Sequence, residues 1–383
     1  MFDIIVIGGG PAGSSAARKA SSLGLTTLLL EKERFPRYKP CGGAVSDMAL
    51  SYLDFELPSS FRAREMRGIR IVYKAQILEK YFPERIGILI DRASFDDYLL
   101  KMAGESGADI LVAEKVMDLA EEEKGVKVVT EKGTHEARYA IIAEGAQGKL
   151  KHKVRNKDKR NEYAVALVTE IEEGRGRKNN TPEDIIEVHA GLLKRGFGWV
   201  FPHRGYYSVG IAGLAEYLDE PTERMAGFLN SLGFSSSSRI NSHLLPAGGI
   251  KRNLTTSQIV LAGDAAGFVD SFYGEGLSYA IRSGQIAAEL ISRIIKEGGA
   301  ASLKDYQSLV RDEFEMRLRY SLKLSQFAHS FPFFFALGIA NDAILDKFID
   351  LALYRSSYRD LMKWLIPRIP MYILKYASKK IFK

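Results

Sequence analysis

Gly8, Gly10 and Gly13 stand at G-x-G-x-x-G spacing behind the β-formers of "DIIVIGGG", with Pro11 at a position suited to the first turn of a helix. Such glycines allow a tight turn, close approach of backbone to a pyrophosphate, and close packing of helix on strand, while the helix start offers free N–H groups. Glu31 closes the next apolar stretch, "TTLLLEK", 18 residues after Gly13, where a carboxylate can accept from adenosine ribose hydroxyls. The chemistry predicted is dinucleotide binding. A second constellation narrows it. In "QIVLAGDAAGFVDSFYGEGLSYAIRSGQIAAELI", residues 258–291, an apolar strand ends in Gly263-Asp264, and a loop leads to a helix with Leu277, Ala280, Ile281, Ala287, Ala288 and Ile291 at helical spacing. An acid at a strand's carboxyl end suits a polyol such as ribityl. The Gly274-Glu275-Gly276 turn aims a helix N-terminus at an electron-rich ring, which stabilises its anionic reduced form. A loop-capping aspartate alone would not require that turn, so the cofactor expected is FAD.

Other reactive types are few. Cys41, in "RYKPCGGAVS", is the single cysteine of 383 residues, which excludes an intrachain disulfide and any multi-cysteine metal cage. No metal site is expected. Arg92 opens a helical pattern whose start carries Asp91, Asp96 and Asp97; a cation there opposes the dipole, so it serves either a ligand or a surface ion pair. Phe197, Trp199 and Phe201 in "FGWVFP" fall on one strand face, as core or as pocket wall. Cys41, Tyr207, His203, Tyr273 and Glu275 are the candidate proton donors, and spacing selects none of them.

The elements that position these residues fall into three parts. A discontinuous Rossmann-type FAD-binding domain is expected over 1–70, 88–160 and 250–300. An inserted antiparallel-sheet substrate domain covers 71–87 and 161–249, where βαβ rhythm gives way to the short alternating strands "DIIEVHA", "GWVFPH" and "YYSVGIAG". A helical, basic region, 301–383, is appended, and the class is α/β, α+β overall. "EEGRGRKNNTPED" and "SSSS" (235–238) read as loops, and the basic run "KLKHKVRNKDKR" (149–160) as a solvated connection.

Charge concentrates at the end. Net charge is +7, and Leu351 to Lys383 alone hold eight Lys/Arg (Arg355, Arg359, Lys363, Arg368, Lys375, Lys379, Lys380, Lys383) against Asp360, the same surplus. Interleaved Leu353, Tyr354, Leu361, Trp364, Leu365, Ile366, Met371, Tyr372 and Ile373 make this a segment for an anionic membrane surface, or an amphipathic helix packed on the body. No nucleic-acid motif accompanies the charge. The longest charge-free stretch, Leu324 to Asn341, contains Pro332 and His329 and is too short and interrupted to span a bilayer; its centre, "FPFFFALGIA", reads as core or the wall of an apolar cavity. "MFDIIVIGGG" lacks the pattern of a targeting peptide, so the chain is expected in the cytoplasm, peripheral at the inner face of the membrane.

The sequence resembles the p-hydroxybenzoate hydroxylase-like flavoproteins, and within them the geranylgeranyl reductases. The glycine turn with Glu31, the "KPCGG" loop, Arg92-x-x-Phe95-Asp96-x-x-Leu99, Gly263-Asp264 and "FYGEG" carry the resemblance, over about residues 1 to 300. It implies FAD contacts at Gly13, Glu31, Arg92, Asp264, Gly276 and Leu277, with Gly8, Gly10, Ala12, Lys32, Val116, Gly263 and Gly274 beside them. Cys41 and Gly42 would line the flavin face, with Cys41 the catalytic candidate, and Phe197, Trp199, Phe201 and Tyr273 the prenyl pocket. Two departures stand out. Phe197 replaces the tyrosine of the reductases' Tyr-x-Trp-x-Phe-Pro, which brings "FGWVFP" near the halogenases' Trp-x-Trp-x-Ile-Pro. "AEGAQGKL" (143–150) has Glu144 and Lys149 where flavin monooxygenases show Asp and Arg. The implied activity is reduction of C=C bonds in geranylgeranyl chains of a lipid or lipid precursor, by hydride from flavin N5 in a dry slot. The electron donor is NAD(P)H or a small redox protein such as ferredoxin, since no second glycine-rich βαβ unit is present. The alternatives are a monooxygenase or halogenase on the same fold, and a non-catalytic flavin- and lipid-binding protein.

Overall fold

A computed structural model describes residues 1–58, 61, 64–174, 182–234, 239–298, 301–330, 341–372 and 374. The aromatic stretch at 331–339, the loop centre at 175–181, "SSSS" and the last lysines (Lys375, Lys379, Lys380, Lys383) lie outside them.

Among the described residues, two seven-stranded sheets and a small third one carry the fold. In the first, β1 (Phe2–Ile7), β2 (Thr27–Glu31), β8 (Asp109–Val112), β11 (Thr134–Ile142) and β17 (Ile259–Leu261) are parallel, and β9 (Val116–Glu122) and β10 (Gly125–Thr130) add antiparallel strands. β1 reads as an unbroken apolar run because both faces are covered, and Ile4, Ile5 and Val6 are fully buried. The second sheet has the order β16 (Asn241–Pro246), β12 (Tyr163–Glu172), β15 (Tyr206–Leu214), β14 (Gly196–Pro202), β13 (Ile185–Leu193), β5 (Gly68–Tyr73), β6 (Gln76–Tyr81), antiparallel except at β13 and β5. β3 (Ala44–Val45), β7 (Gly87–Leu89) and β4 (Arg64–Met66) form the third.

On the parallel sheet, α1 (Pro11–Ser22) packs against α5 (Leu277–Glu297) and α3 (Arg92–Glu105), and the short α2 (Asp47–Ser51) leans on α5. The α1 and α5 backbones nearly touch: a Cβ on Gly284 would stand 2.2 Å from the Ala12 carbonyl oxygen. α4 (Pro221–Ser231) closes the far face of the second sheet with Met225, Phe228 and Leu229.

Beyond α6 (Tyr306–Val310) the described residues are mainly helical: α7 (Met316–Ser330), α8 (Asp342–Ala352) and α9 (Tyr358–Leu365). One face of the amphipathic tail is packed on the body. Leu324, Ile344, Leu351, Tyr358, Leu361 and Leu365 share one buried cluster, against which Phe272 and Tyr273 pack. Tyr358 donates to Asp270 Oδ2 at 2.7 Å, and Asp270 Oδ1 accepts from Ser321 and from the Phe272 and Tyr273 N–H groups. The tail therefore braces the loop that precedes α5.

The basic run at 149–160 is not a solvated connection. Lys151 and Arg155 are buried; Arg155 donates to the Ala265 carbonyl and pairs with Asp158, which also holds Arg252. Cations with such partners do the work of a strut beneath the Gly263–Gly267 turn, a role that charge count alone cannot distinguish from solvation.

Tyr358→Phe keeps the ring and leaves a buried carboxylate oxygen without its donor. The expected loss is about 1–3 kcal/mol of unfolding free energy, read from denaturant midpoints; an unchanged midpoint would show that the tail does not brace the loop.

Candidate active site

The glycine turn, Glu31 and Asp264 sit at the carboxyl edge of the parallel sheet. Gly8 has φ 105°, and a Cβ on Gly13 would lie 1.8 Å from the Gly8 carbonyl oxygen, so both glycines are sterically required. The Cβ position of Gly10, at the start of α1, faces open space bounded by Arg37 at 3.6 Å. Glu31 is buried, accepting from the Gly9 N–H at 2.6 Å and the Glu33 N–H at 2.7 Å. Ala12 packs beneath Gly263, whose own Cβ would stand 2.9 Å from the Ala12 methyl. Lys32, by contrast, points to solvent beside Glu33, and Val116, half-buried, starts β9.

Across this edge a charged cluster collects residues from four segments. Arg92 makes a two-pronged contact with Asp96 at 2.9 and 3.0 Å, and Arg37 approaches the same carboxylate at 3.4 Å. Asp96 is fully buried, so this is an interior pair, and Asp91 is the cap of α3, accepting from the Ser94 N–H at 2.8 Å. Lys39 Nζ lies 2.6 Å from His243 Nε2, which lies 3.5 Å from Asp264 Oδ2. Burial lowers the Lys39 ammonium to about 8, and pushes the His243 imidazole below its usual value as well. Burial pushes the Asp264 carboxyl up, but the His243 hydrogen bond and the Lys39 and Arg92 charges outweigh it and hold it low. Three permanent or near-permanent cations thus face two carboxylates. An open glycine turn, free helical N–H groups and a cationic surplus fit the dianionic diphosphate of FAD. Lys39, Arg37 and His243 carried no separate signal in the sequence: Lys39 lay within the quoted "KPCGG", and His243 is one residue of an ordinary strand.

Next to the cluster, the second sheet meets the Cys41–Gly43 loop. Trp199 is core, packed with Ala166, Val168 and Ala212, while Phe197 and Phe201 flank it half-buried with ring centroids 6.2 and 6.3 Å away. Gly210 gives the indole its room, because a Cβ there would stand 2.2 Å from Trp199 Cζ2. A Cβ on Gly42 would lie 2.9 Å from the Phe201 ring. The Trp199 N–H donates to Ser208 Oγ at 3.4 Å, and Ser208 donates to the Cys41 carbonyl at 3.3 Å. Gly274, at φ 72°, brings the "FYGEG" turn to Phe197, 3.6 Å from its would-be Cβ. Gly276 then caps α5, whose first residue is Leu277.

The proton-donor candidates separate on these contacts. Tyr207 belongs to the opposite core, against Phe234. Tyr273 turns away from the aromatic wall: its hydroxyl donates to the Phe348 carbonyl at 2.7 Å within the C-terminal cluster. Cys41 Sγ accepts from the Gly43 N–H at 3.4 Å. Glu275 accepts from Tyr354, from Ser278 N–H and from Ser46, and burial raises its carboxyl toward the neutral form. Glu144, the departure from the monooxygenase pattern, folds under Gly148 and accepts from the Lys151 N–H at 2.9 Å, so it is structural.

The model of the FAD dependent oxidoreductase family matches residues 3–146, and that of the tryptophan halogenases matches residues 85–322. With the site above, they make the chain an FAD-dependent oxidoreductase of the flavoprotein fold that halogenases share. Digeranylgeranylglycerophospholipid reductase 1 of Methanopyrus kandleri is 30% identical, over 82% of this chain and 87% of the relative. Digeranylgeranylglycerophospholipid reductase of Thermoplasma volcanium is 28% identical over 91% of each chain. The crystal structure of a geranylgeranyl bacteriochlorophyll reductase-like protein of Thermoplasma acidophilum superposes with TM-score 0.81 at 23% identity, over 98% of both chains. The chain belongs to the geranylgeranyl reductase family. It is a reductase and its cofactor is FAD.

Lys39 titrates near 8 when folded without ligand and near 10.5 when unfolded, so between these values the unfolded chain binds more protons and apoprotein stability rises with pH. A diphosphate beside Lys39 favours its charged form. FAD affinity is therefore expected to fall as pH rises through about 8, and Lys39→Met to bind more weakly at pH 7 with a flatter profile. Parallel profiles for the two proteins in flavin-fluorescence titrations would refute this linkage.

Proposed function

We propose that the chain reduces isolated C=C bonds in geranylgeranyl chains of a lipid, with an archaeal-type diether phospholipid as the substrate class. The observation that carries the reading is the aromatic wall of Phe197, Trp199 and Phe201, with Phe201 and Trp199 packed against Gly42 and Phe197 beside Gly274. Bound FAD supplies the hydride when reduced. The chain's part is to hold an unactivated alkene against the ring and keep water out, since nothing in such a substrate offers a polar handle near the reacting carbons. Half-buried phenyl rings on either side of a fixed indole suit a flexible apolar chain. Arg37, Lys39, Arg92, His243 and Asp264, with the glycine turn, would hold the cofactor's diphosphate and ribityl. Gly276 at the start of α5 would face the ring.

Membrane-surface binding is part of this reading. Among the described residues no helix is long and apolar enough to cross a membrane. Ile366, Met371 and Leu374 nevertheless expose 54%, 53% and 72% of their surface, on a stretch that also exposes Arg359, Lys363 and Arg368. Apolar tips among cations suit an anionic bilayer face.

Anaerobic mixing of photoreduced protein with a geranylgeranyl diether phospholipid tests the chemistry. Flavin reoxidation with a saturated product supports it, and a prenylated quinone in a parallel arm tests the head group. Reoxidation by oxygen alone would assign monooxygenase or halogenase chemistry, and neither event would leave a flavin- and lipid-binding protein. NADPH and reduced ferredoxin, supplied separately, discriminate the donors. Phe197→Asn is expected to lower kcat/KM by about tenfold, roughly 1.4 kcal/mol of transition-state stabilisation, with FAD content unchanged. Met371→Glu combined with Leu374→Glu is expected to weaken binding to anionic vesicles about fivefold or more, because both tips lose their apolar contact. Unchanged partitioning in a flotation assay would reject the membrane face. Truncation after residue 350 is unsuitable, since it removes Tyr358 from the core.

A further inference from the structure

The peptide between Gly42 and Gly43 is held at both ends. Its carbonyl lies 2.9 Å from His203 Nε2, and its N–H donates to Cys41 Sγ at 3.4 Å. A peptide flanked by two glycines meets little steric resistance when its plane rotates, and Gly43 already sits at φ 79°. Orientation must then come from the partners. His203 is 2% exposed, stacked on Tyr206 with ring centroids 4.6 Å apart, and its Nδ1 has no partner among the described residues. A contact to a carbonyl oxygen requires the hydrogen on Nε2, so the ring is the Nε2–H tautomer. Burial lowers its pKa, in keeping with a neutral ring whose second nitrogen has nothing to donate to. Packing makes the arrangement specific: a Cβ on Gly43 would lie 2.6 Å from both His203 Cε1 and the Ile90 carbonyl oxygen. His203 also directly follows β14, the strand of the aromatic wall.

We propose that His203 is a positioning residue that fixes the orientation of the Gly42–Gly43 peptide beside the flavin, and thereby sets the reduction potential of bound FAD. The proposal rests on the placement of the flavin ring along the Cys41–Gly43 loop. Rotation of this peptide would exchange a carbonyl oxygen for an N–H at the same point in space. An N–H stabilises negative charge on a reduced ring and a carbonyl oxygen opposes it, so the orientation is read directly by the oxidised-to-reduced ratio. Gln can reproduce the Nε2 donor of His203, and Leu cannot.

The test is an anaerobic redox titration of the FAD-loaded protein with reference dyes, with no prenyl ligand and no turnover. His203→Leu is expected to change the oxidised-to-reduced ratio at a fixed potential at least tenfold, about 30 mV for a two-electron couple. His203→Gln should stay within threefold of the parent protein. A ratio for His203→Leu within threefold of the parent, or equal shifts for Leu and Gln, would overturn the proposal. Cys41→Ala frees the other end of the peptide and is read in the same way should His203→Leu fail to retain flavin; an unmoved ratio there also overturns it. The absorbance spectrum separates the two layers. If neither substitution moves the flavin bands, the placement of the ring fails and the proposal with it, whereas moved bands with unmoved ratios reject the proposal alone.

Discussion

The near-contact of α1 with α5 is the constraint on which the remaining geometry depends. At Ala12 and Gly284 the two helix backbones come together with room for nothing larger than hydrogen, and Gly263 turns against the Ala12 methyl. That approach draws residues from the beginning and the later part of the chain to one sheet edge. It places the glycine turn beside Asp264 and fixes where the N-terminus of α5 points. A methyl group at Gly284 would force the helices apart, and the charged cluster and the "FYGEG" turn would lose their common frame.

A second layer of fit joins that edge to the other large sheet. Ser208 and His203 reach the carbonyls of Cys41 and Gly42, Phe201 lies on Gly42, and Lys39 meets His243. The cofactor edge and the aromatic wall are consequently one surface built from backbone-to-side-chain contacts. For the proposed reaction, whose substrate would offer little but shape, this joint construction would let packing set the position of a carbon relative to the ring.

Local signals were legible in the sequence where sterics or periodicity act over a few residues. The βαβ start, Glu31 at the end of β2, Gly263-Asp264 at the end of β17, the helix at 277 and the shared face of Phe197, Trp199 and Phe201 all follow from such spacing. What could not be read depends on convergence. Lys39, His243 and Asp264 come from three segments, and no local pattern says that they meet. Burial of Lys151 and Arg155 was hidden because a cation in a strut and a cation in water look alike in composition. The same ambiguity held for the tail, whose amphipathic pattern suits either a membrane or the helical cluster that it joins. The hydroxyl of Tyr273 was likewise ambiguous until its acceptor, the Phe348 carbonyl, was in view.

The bracing of the pre-α5 loop by the tail also bears on how such a chain can be inherited or recombined. Asp270 and Glu275 stand in the cofactor half, while Tyr358, Tyr354 and Ser321, which satisfy them, are contributed after residue 301. A crossover between homologues near residue 300 would transplant hydroxyls without their carboxylates. The smallest exchangeable unit is therefore the loop together with its distant hydroxyls, and variation in the C-terminal helices should be tied to variation at 270 and 275 more closely than to their neighbours in sequence.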